Sequence, residues 1–223
     1  MRKIRQHVNP LSAHFMRARA QPVARPPGLA ADCPIEVELG CADAEFSFAR
    51  AAACPEALMV GLDIREPCLA RNRVRAADEG LANLLFGYVN LNVDIDRVFA
   101  PASVDRFHLL FPDPWVKKSH QKRRVIEPAL VASLAAQLRP GGELHVASDV
   151  FDVALEIMAT VEDPELAGVG LVNLAGPWSF WRGNPFAEAS RREQTTLRRQ
   201  QRVWRMRYVR SDMSLATGDL MQA

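Results

Sequence analysis

Cysteine and lysine are both scarce in this chain, four of each in 223 residues, and no long apolar run occurs. Cys33, Cys41, Cys54 and Cys68 show no C-x-x-C spacing. They read as reduced structural thiols of a cytoplasmic protein, with no metal site. Without an apolar stretch of about 18 residues, no membrane-spanning helix is expected. The basic N-terminus is not followed by the apolar stretch of roughly 7–15 residues that marks a secretory signal. Repeats and low-complexity tracts are also missing. What remains is a chain of one-domain length, 48% apolar, with enough hydrophobic residues for a full core.

Arginine carries most of the positive charge, and its distribution says more than the net +2. Residues 1–33 hold Arg2, Lys3, Arg5, Arg17, Arg19 and Arg25 against Asp32 alone. Residues 182–210 hold Arg182, Arg191, Arg192, Arg198, Arg199, Arg202, Arg205, Arg207 and Arg210 against Glu188 and Glu193. Basic ends around a mixed-charge middle suit a phosphate backbone. The plain alternative is solvated surface arginine.

Pro10, Pro22, Pro26 and Pro27, with Pro34 just beyond, interrupt any apolar period at the start. Residues 1–33 therefore read as a basic arm with at most one short helix, and 34–223 as the folded domain. Strands are expected at 35–39, 58–63, 84–88, 104–111 and 143–147. Helices fall between them, at about 46–53, 67–80, 128–138 and from Ser148 or Asp149, either of which can cap, to about 161. Later strand candidates are 171–174 and 203–209. In the last, Trp204, Met206 and Tyr208 alternate with Arg205 and Arg207, which predicts one wet face. Repeated strand–helix units give an α/β fold with a doubly wound, mostly parallel sheet.

In such sheets ligands bind beyond the C-terminal ends of the strands, where Glu38, Asp63, Asn90 and Asp113 lie. Asp63 follows Gly40 by 23 residues, at the end of the second strand. A carboxylate there can accept hydrogen bonds from both ribose hydroxyls of an adenosine-type ligand, though it can equally cap the next helix. The chain is short for a dehydrogenase, which favours S-adenosylmethionine over NAD. The first turn, Leu39-Gly40-Cys41-Ala42-Asp43-Ala44, has one glycine where nucleotide folds use two or three. Asp43 and Glu45 make it acidic, which disfavours a pyrophosphate and better tolerates a sulfonium.

The most specific stretch begins at the end of the fourth strand: Phe111-Pro112-Asp113-Pro114-Trp115-Val116-Lys117-Lys118-Ser119-His120-Gln121-Lys122-Arg123-Arg124. Two prolines hold Asp113 in extended backbone, Trp115 offers a stacking face, and five cations follow. Stacking plus phosphate-binding cations is a nucleic-acid combination. These residues resemble the bacterial and plastid tRNA (guanine-N7)-methyltransferases. So do Arg5-Gln6-His7-Val8-Asn9-Pro10-Leu11, Gly61-Leu62-Asp63-Ile64-Arg65-Glu66-Pro67, Asn90-Leu91-Asn92-Val93, Ser148-Asp149-Val150 and Asn184-Pro185-Phe186 with Ser190-Arg191-Arg192-Glu193.

That resemblance implies a Rossmann-like class I methyltransferase fold and a tRNA substrate. It places S-adenosylmethionine against Glu38, Gly40, Asp63, Asn90 and Asp113. It places the guanine nucleotide against Lys117, Asp149, Ser190, Arg191, Arg192 and Glu193, and makes Asp113 the active-site residue. It leaves open a monomer or a homodimer. Departures are Ala42 and Ala44 for glycines, the acids at 43 and 45, Val116 for a frequent His or aromatic, and Ser190 for the usual Thr. They leave two rivals: a non-catalytic or weakly active RNA-binding relative with a degenerate cofactor turn, and another nucleobase or amino-group methyltransferase. Asp113-Pro114-Trp115 lacks the second proline that amino-group methylation favours.

Overall fold

In the computed structural model of the chain, the described residues are 8–10, 12–17, 19–113 and 126–211. Seven strands form one sheet in the order β3-β2-β1-β4-β5-β7-β6. They are β1 (Ile35–Leu39), β2 (Leu58–Asp63), β3 (Leu84–Tyr88), β4 (Val104–Leu110), β5 (Leu138–Ser148), β6 (Leu171–Asn173) and β7 (Trp204–Arg210). β1 to β5 pair in parallel, and β7 runs antiparallel between β5 and β6. The strand order reverses at β1, so the switch point lies between the ends of β1 and β4, where a doubly wound sheet opens a crevice.

The helices are α1 (Ala13–Arg17), α2 (Glu45–Ala53), α3 (Glu66–Asp78), α4 (Leu91–Asp94), α5 (Pro128–Gln137), α6 (Phe151–Val161) and α7 (Arg191–Arg198). Pro67 and Pro128 sit in the first turn of α3 and α5, where a missing N–H costs nothing. β5 starts earlier than its pattern predicts, because Leu138 already pairs with Val104 across a register shift. Helix α7 was missing from the sequence reading, although Ser190-x-x-Glu193 is a capping-box spelling. Ser190 does cap it, its hydroxyl accepting from the Glu193 N–H at 3.2 Å.

Alternation along the strands builds two unlike faces. Val37, Leu39, Val60, Leu62, Phe107, Leu109, Leu144, Val146, Met206 and Tyr208 point to one apolar core, shared with buried residues of α5 and α6. Ala20 and Cys33 from the first 33 residues are buried in it as well. A second, smaller core groups Phe46 and Phe48 of α2 with Leu69 and Ala76 of α3, over Met59, Leu84 and Phe86. Gly61 is required there by close approach: a Cβ would lie 2.7 Å from the Phe86 ring.

Further along this second face the sheet buries charge instead. Glu36, Arg106, His108, Glu143, His145 and Arg205 stand side by side on β1, β4, β5 and β7. The wet face expected on β7 is therefore not wet: Arg205 is 6% exposed and Arg207 half-buried. Charged residues on alternate positions looked like solvent-facing ones, and only the covering chain segment shows otherwise.

Candidate active site

The four strand-end groups gather around the β1–α2 turn. Gly40 takes φ 76°, and its N–H and that of Cys41 both donate to Leu62 O, at 2.8 and 2.9 Å. Ala42 and Ala44 sit at φ 50° and 57°, in the left-handed region that glycine tolerates and alanine resists by about 1–2 kcal/mol per residue. The glycine-type turn is thus built with alanines. Several contacts hold it. Asp63 Oδ2 accepts from the Ala42 N–H at 2.9 Å, Asn72 Nδ2 donates to Ala42 O at 2.9 Å, and the Ala44 N–H donates to Cys41 O at 2.6 Å.

Glu38 is buried at the end of β1 and accepts from the N–H and hydroxyl of Ser47. The strand carboxyl thereby serves an open N–H in the first turn of α2. Burial pushes its pKa up to about 8, against the hydrogen bonds from Ser47 that lower it. Asn90, at the end of β3, donates through its N–H to Asp94 and through Nδ2 to Pro10 O at 3.0 Å. The other oxygen of Asp94 accepts from the Ala20 N–H at 2.5 Å. The chain before β1 therefore packs across the β3 end of the crevice.

The acids of the turn do not face solvent alone. Arg191, the first residue of α7, pairs with Asp43 at 3.0 Å and Glu45 at 2.9 Å, and Arg75 reaches Glu45 at 3.0 Å. An arginine assigned by sequence to the guanine nucleotide thus bridges to the cofactor turn. Arg192 grips both oxygens of Asp149, at 2.7 and 3.2 Å, and the Thr196 hydroxyl adds a third bond. Neither Ser148 nor Asp149 caps α6, whose N-cap is Val150. Asp149 is drawn to α7 instead, while the Ser148 hydroxyl binds within its own turn, accepting from the Val150 N–H. Glu193 is 2% exposed and bonded to the buried Arg205 guanidinium.

So the structure brings Asp149, Ser190, Arg191, Arg192 and Glu193 together on one side of the turn, with Glu38, Gly40 and Asp63 on the other. Asp113 is exposed at the end of β4, just after Phe111 at φ 51°. Lys117, Trp115 and the rest of the cationic loop lie outside the described residues. Sequence reading missed Arg65, which holds both oxygens of Asp63, and Arg205, which holds Glu193.

A family model described as "Putative methyltransferase" matches residues 32–206. A curated tRNA (guanine-N(7)-)-methyltransferase of Synechococcus elongatus is 39% identical over 158 residues, covering 70% of this chain and 74% of that protein. One of Prochlorococcus marinus is 34% identical over 212 residues, covering 94% and 89%. The chain belongs to the tRNA (guanine-N7)-methyltransferase family. The solved 16S rRNA (adenine(1408)-N(1))-methyltransferase from Catenulisporales acidiphilia superposes with a TM-score of 0.55 at 21% identity, over 81% of this chain and 87% of that one. The aminoglycoside resistance methyltransferase NpmB1 gives 0.52 at 18%, over 79% and 87%. Both show the class I methyltransferase fold, the family's Rossmann-like sheet.

In this family member the charged layer beneath α7 carries a pH signature. His108 Nε2 lies 3.0 Å from Glu36, which also accepts from Arg50 and Arg106 at 2.8 Å. Phe186 covers the layer, with Arg50 and Arg106 about its ring at 5.2 and 5.1 Å. Burial lowers the pKa of His108, against the pull of Glu36. Burial, then His108 and the arginines 205, 207 and 106, lower that of His145 further. Burial would raise Glu36, but hydrogen bonds from His108 and Arg50 hold it well below the carboxylate range.

A histidine depressed in the folded state binds fewer protons there than when unfolded, so acid below the ordinary value of 6.5 favours unfolding. Glu36 adds to the loss only below its ordinary 4.5. Urea-unfolding stability is therefore expected to fall as pH drops from about 7 to about 5. His145→Asn should flatten that slope. A slope identical in the variant would take His145 out of the linkage.

Proposed function

We propose that the chain methylates N7 of a guanine in the variable region of tRNA, with S-adenosylmethionine as donor. The observation that carries this is the pairing of two half-sites. A buried carboxylate and a left-handed turn stand at the ends of β1 and β2, and the Asp149–α7 cluster joins that turn directly through Arg191. The residues fit the cofactor. Asp63 lies at the ribose position of such folds, and the alanines at 42 and 44 do not prevent the turn that glycine would make.

Bound S-adenosylmethionine supplies an electrophilic methyl. The rest is positioning. Asp63 would hold the ribose, with Glu38, Gly40 and Asn90 framing the crevice. Asp149, Ser190, Arg191, Arg192, Glu193 and Lys117 would hold the guanine nucleotide. Guanine N7 carries a lone pair and no proton, so no strong general base is needed. Asp113, exposed at the mouth of the crevice, would accept hydrogen bonds from the base and oppose the positive charge the purine acquires.

The test is transfer of labelled methyl to unmodified tRNA, followed by borohydride–aniline cleavage, which cuts at 7-methylguanosine. Transfer without cleavage would show another acceptor atom. Binding of tRNA without transfer would favour the non-catalytic relative. Asp63→Ala is expected to weaken S-adenosylhomocysteine binding by about 1.5–3 kcal/mol, the scale for hydrogen bonds to a charged group. Calorimetry returning the wild-type affinity would remove Asp63 from the site.

A further inference from the structure

Asp63 is 3% exposed, and each of its oxygens already accepts two hydrogen bonds. Oδ1 takes the Arg65 backbone N–H at 2.8 Å and Arg65 Nε at 2.9 Å. Oδ2 takes the Ala42 N–H at 2.9 Å and Arg65 Nη2 at 2.8 Å. A carboxylate has about four acceptor positions, two on each oxygen. The two backbone donors are part of the turn and cannot leave without unmaking it. The other two belong to one guanidinium fork, one tine on each oxygen. A ribose offers two hydroxyls and needs one position on each oxygen. These are the positions Arg65 holds.

We propose that Arg65 gates the ribose subsite: its guanidinium occupies both ribose-accepting oxygens of Asp63 in the free protein and must leave them before the cofactor can bind. This rests on the reading of Asp63 as the ribose acceptor. Arg65 is a side chain able to move, since it reaches Asp63 from a neighbouring position at the start of α3 and retains 16% exposure. It is kept firmly protonated by its bonds to Asp63 first, with Asp113 among the acids that add to the effect. The charge of the proposed active-site residue thus already acts on it, and offers a second acid when the first is taken. Arg65 is accordingly a positioning residue. It competes with the cofactor at Asp63, and its release toward Asp113 couples cofactor loading to the catalytic end of the crevice.

The gate reverses the effect usually expected when a conserved-looking ion pair is cut. Arg65→Met keeps the stem and both backbone donors but frees the two contested positions. Its affinity for S-adenosylhomocysteine, read by calorimetry on the full chain, should rise roughly three- to tenfold, the range for relieving one partly buried pair. Stopped-flow binding should show the gain mainly in the association rate. Arg65→Lys, with a point charge in place of the fork, should fall between wild type and Arg65→Met and guards against misfolding of the methionine variant. In an Asp63→Asn background the advantage of Arg65→Met should disappear. Unchanged or weaker binding by both Arg65 variants, with wild type binding normally, overturns the gate alone. No binding by wild type or either variant overturns the cofactor reading and the gate with it.

Discussion

Asp113→Asn is expected to lower kcat by roughly 10²–10³, the scale for removing one preorganised electrostatic group, while leaving KM for tRNA nearly unchanged. The change keeps the shape and removes the charge. An interaction made with the positive charge growing on guanine is stronger in the transition state than in the ground state, so its loss falls on kcat. The position supports this role. Phe111 at φ 51° turns the chain sharply out of β4, and Asp113 two residues later is exposed rather than folded back into the sheet. Single-turnover methyl transfer with saturating cofactor is the measurement. A variant as fast as wild type would exclude Asp113 from the mechanism while leaving the family assignment intact.

The second large effect is on stability. Arg205→Met should destabilise the protein by about 3 kcal/mol, the lower end for cutting a buried ion pair and stranding one charge. Glu193 and Arg205 have side chains only 3% and 8% exposed and are bonded to one another. Glu193 also lies in the first turn of α7, so its carboxylate fastens that helix to β7. Removing both charges, as Arg205→Met with Glu193→Leu, should recover most of the loss, since no uncompensated carboxylate remains. Urea titration decides it. A loss below about 1 kcal/mol for the single variant would mean that water reaches Glu193 and that the pair is a surface contact. Because Glu193 also belongs to the proposed guanine cluster, tRNA binding should weaken in both variants.

Much of this site is legible from residue types alone. Period-two alternation and proline-started helices are local properties, and they located β1 to β4 and α2, α3 and α5 almost to the residue. Motif spelling placed Glu38, Asp63 and Asp113 at strand ends, because a parallel sheet puts the same end of every strand on one edge. The acid at 63 and the cluster at 190–193 needed no tertiary information to be singled out.

What they bond to did. Alternating Arg205 and Arg207 spell a wet strand face, and Phe186 with its neighbours, far away in sequence, buries that face instead. Asp43 and Glu45 spell an acidic turn, and α7 brings Arg191 across to it. Ala42 and Ala44 spell a turn without glycine, and long-range bonds from Asp63 and Asn72 hold it in the glycine conformation. By itself the sequence determined the order of elements, the family and the residues with chemistry to offer. The tertiary structure alone decided which of those charges are satisfied by the protein and which remain for a ligand, because pairing depends on what the fold brings within about 3 Å, and sequence separation does not set that distance.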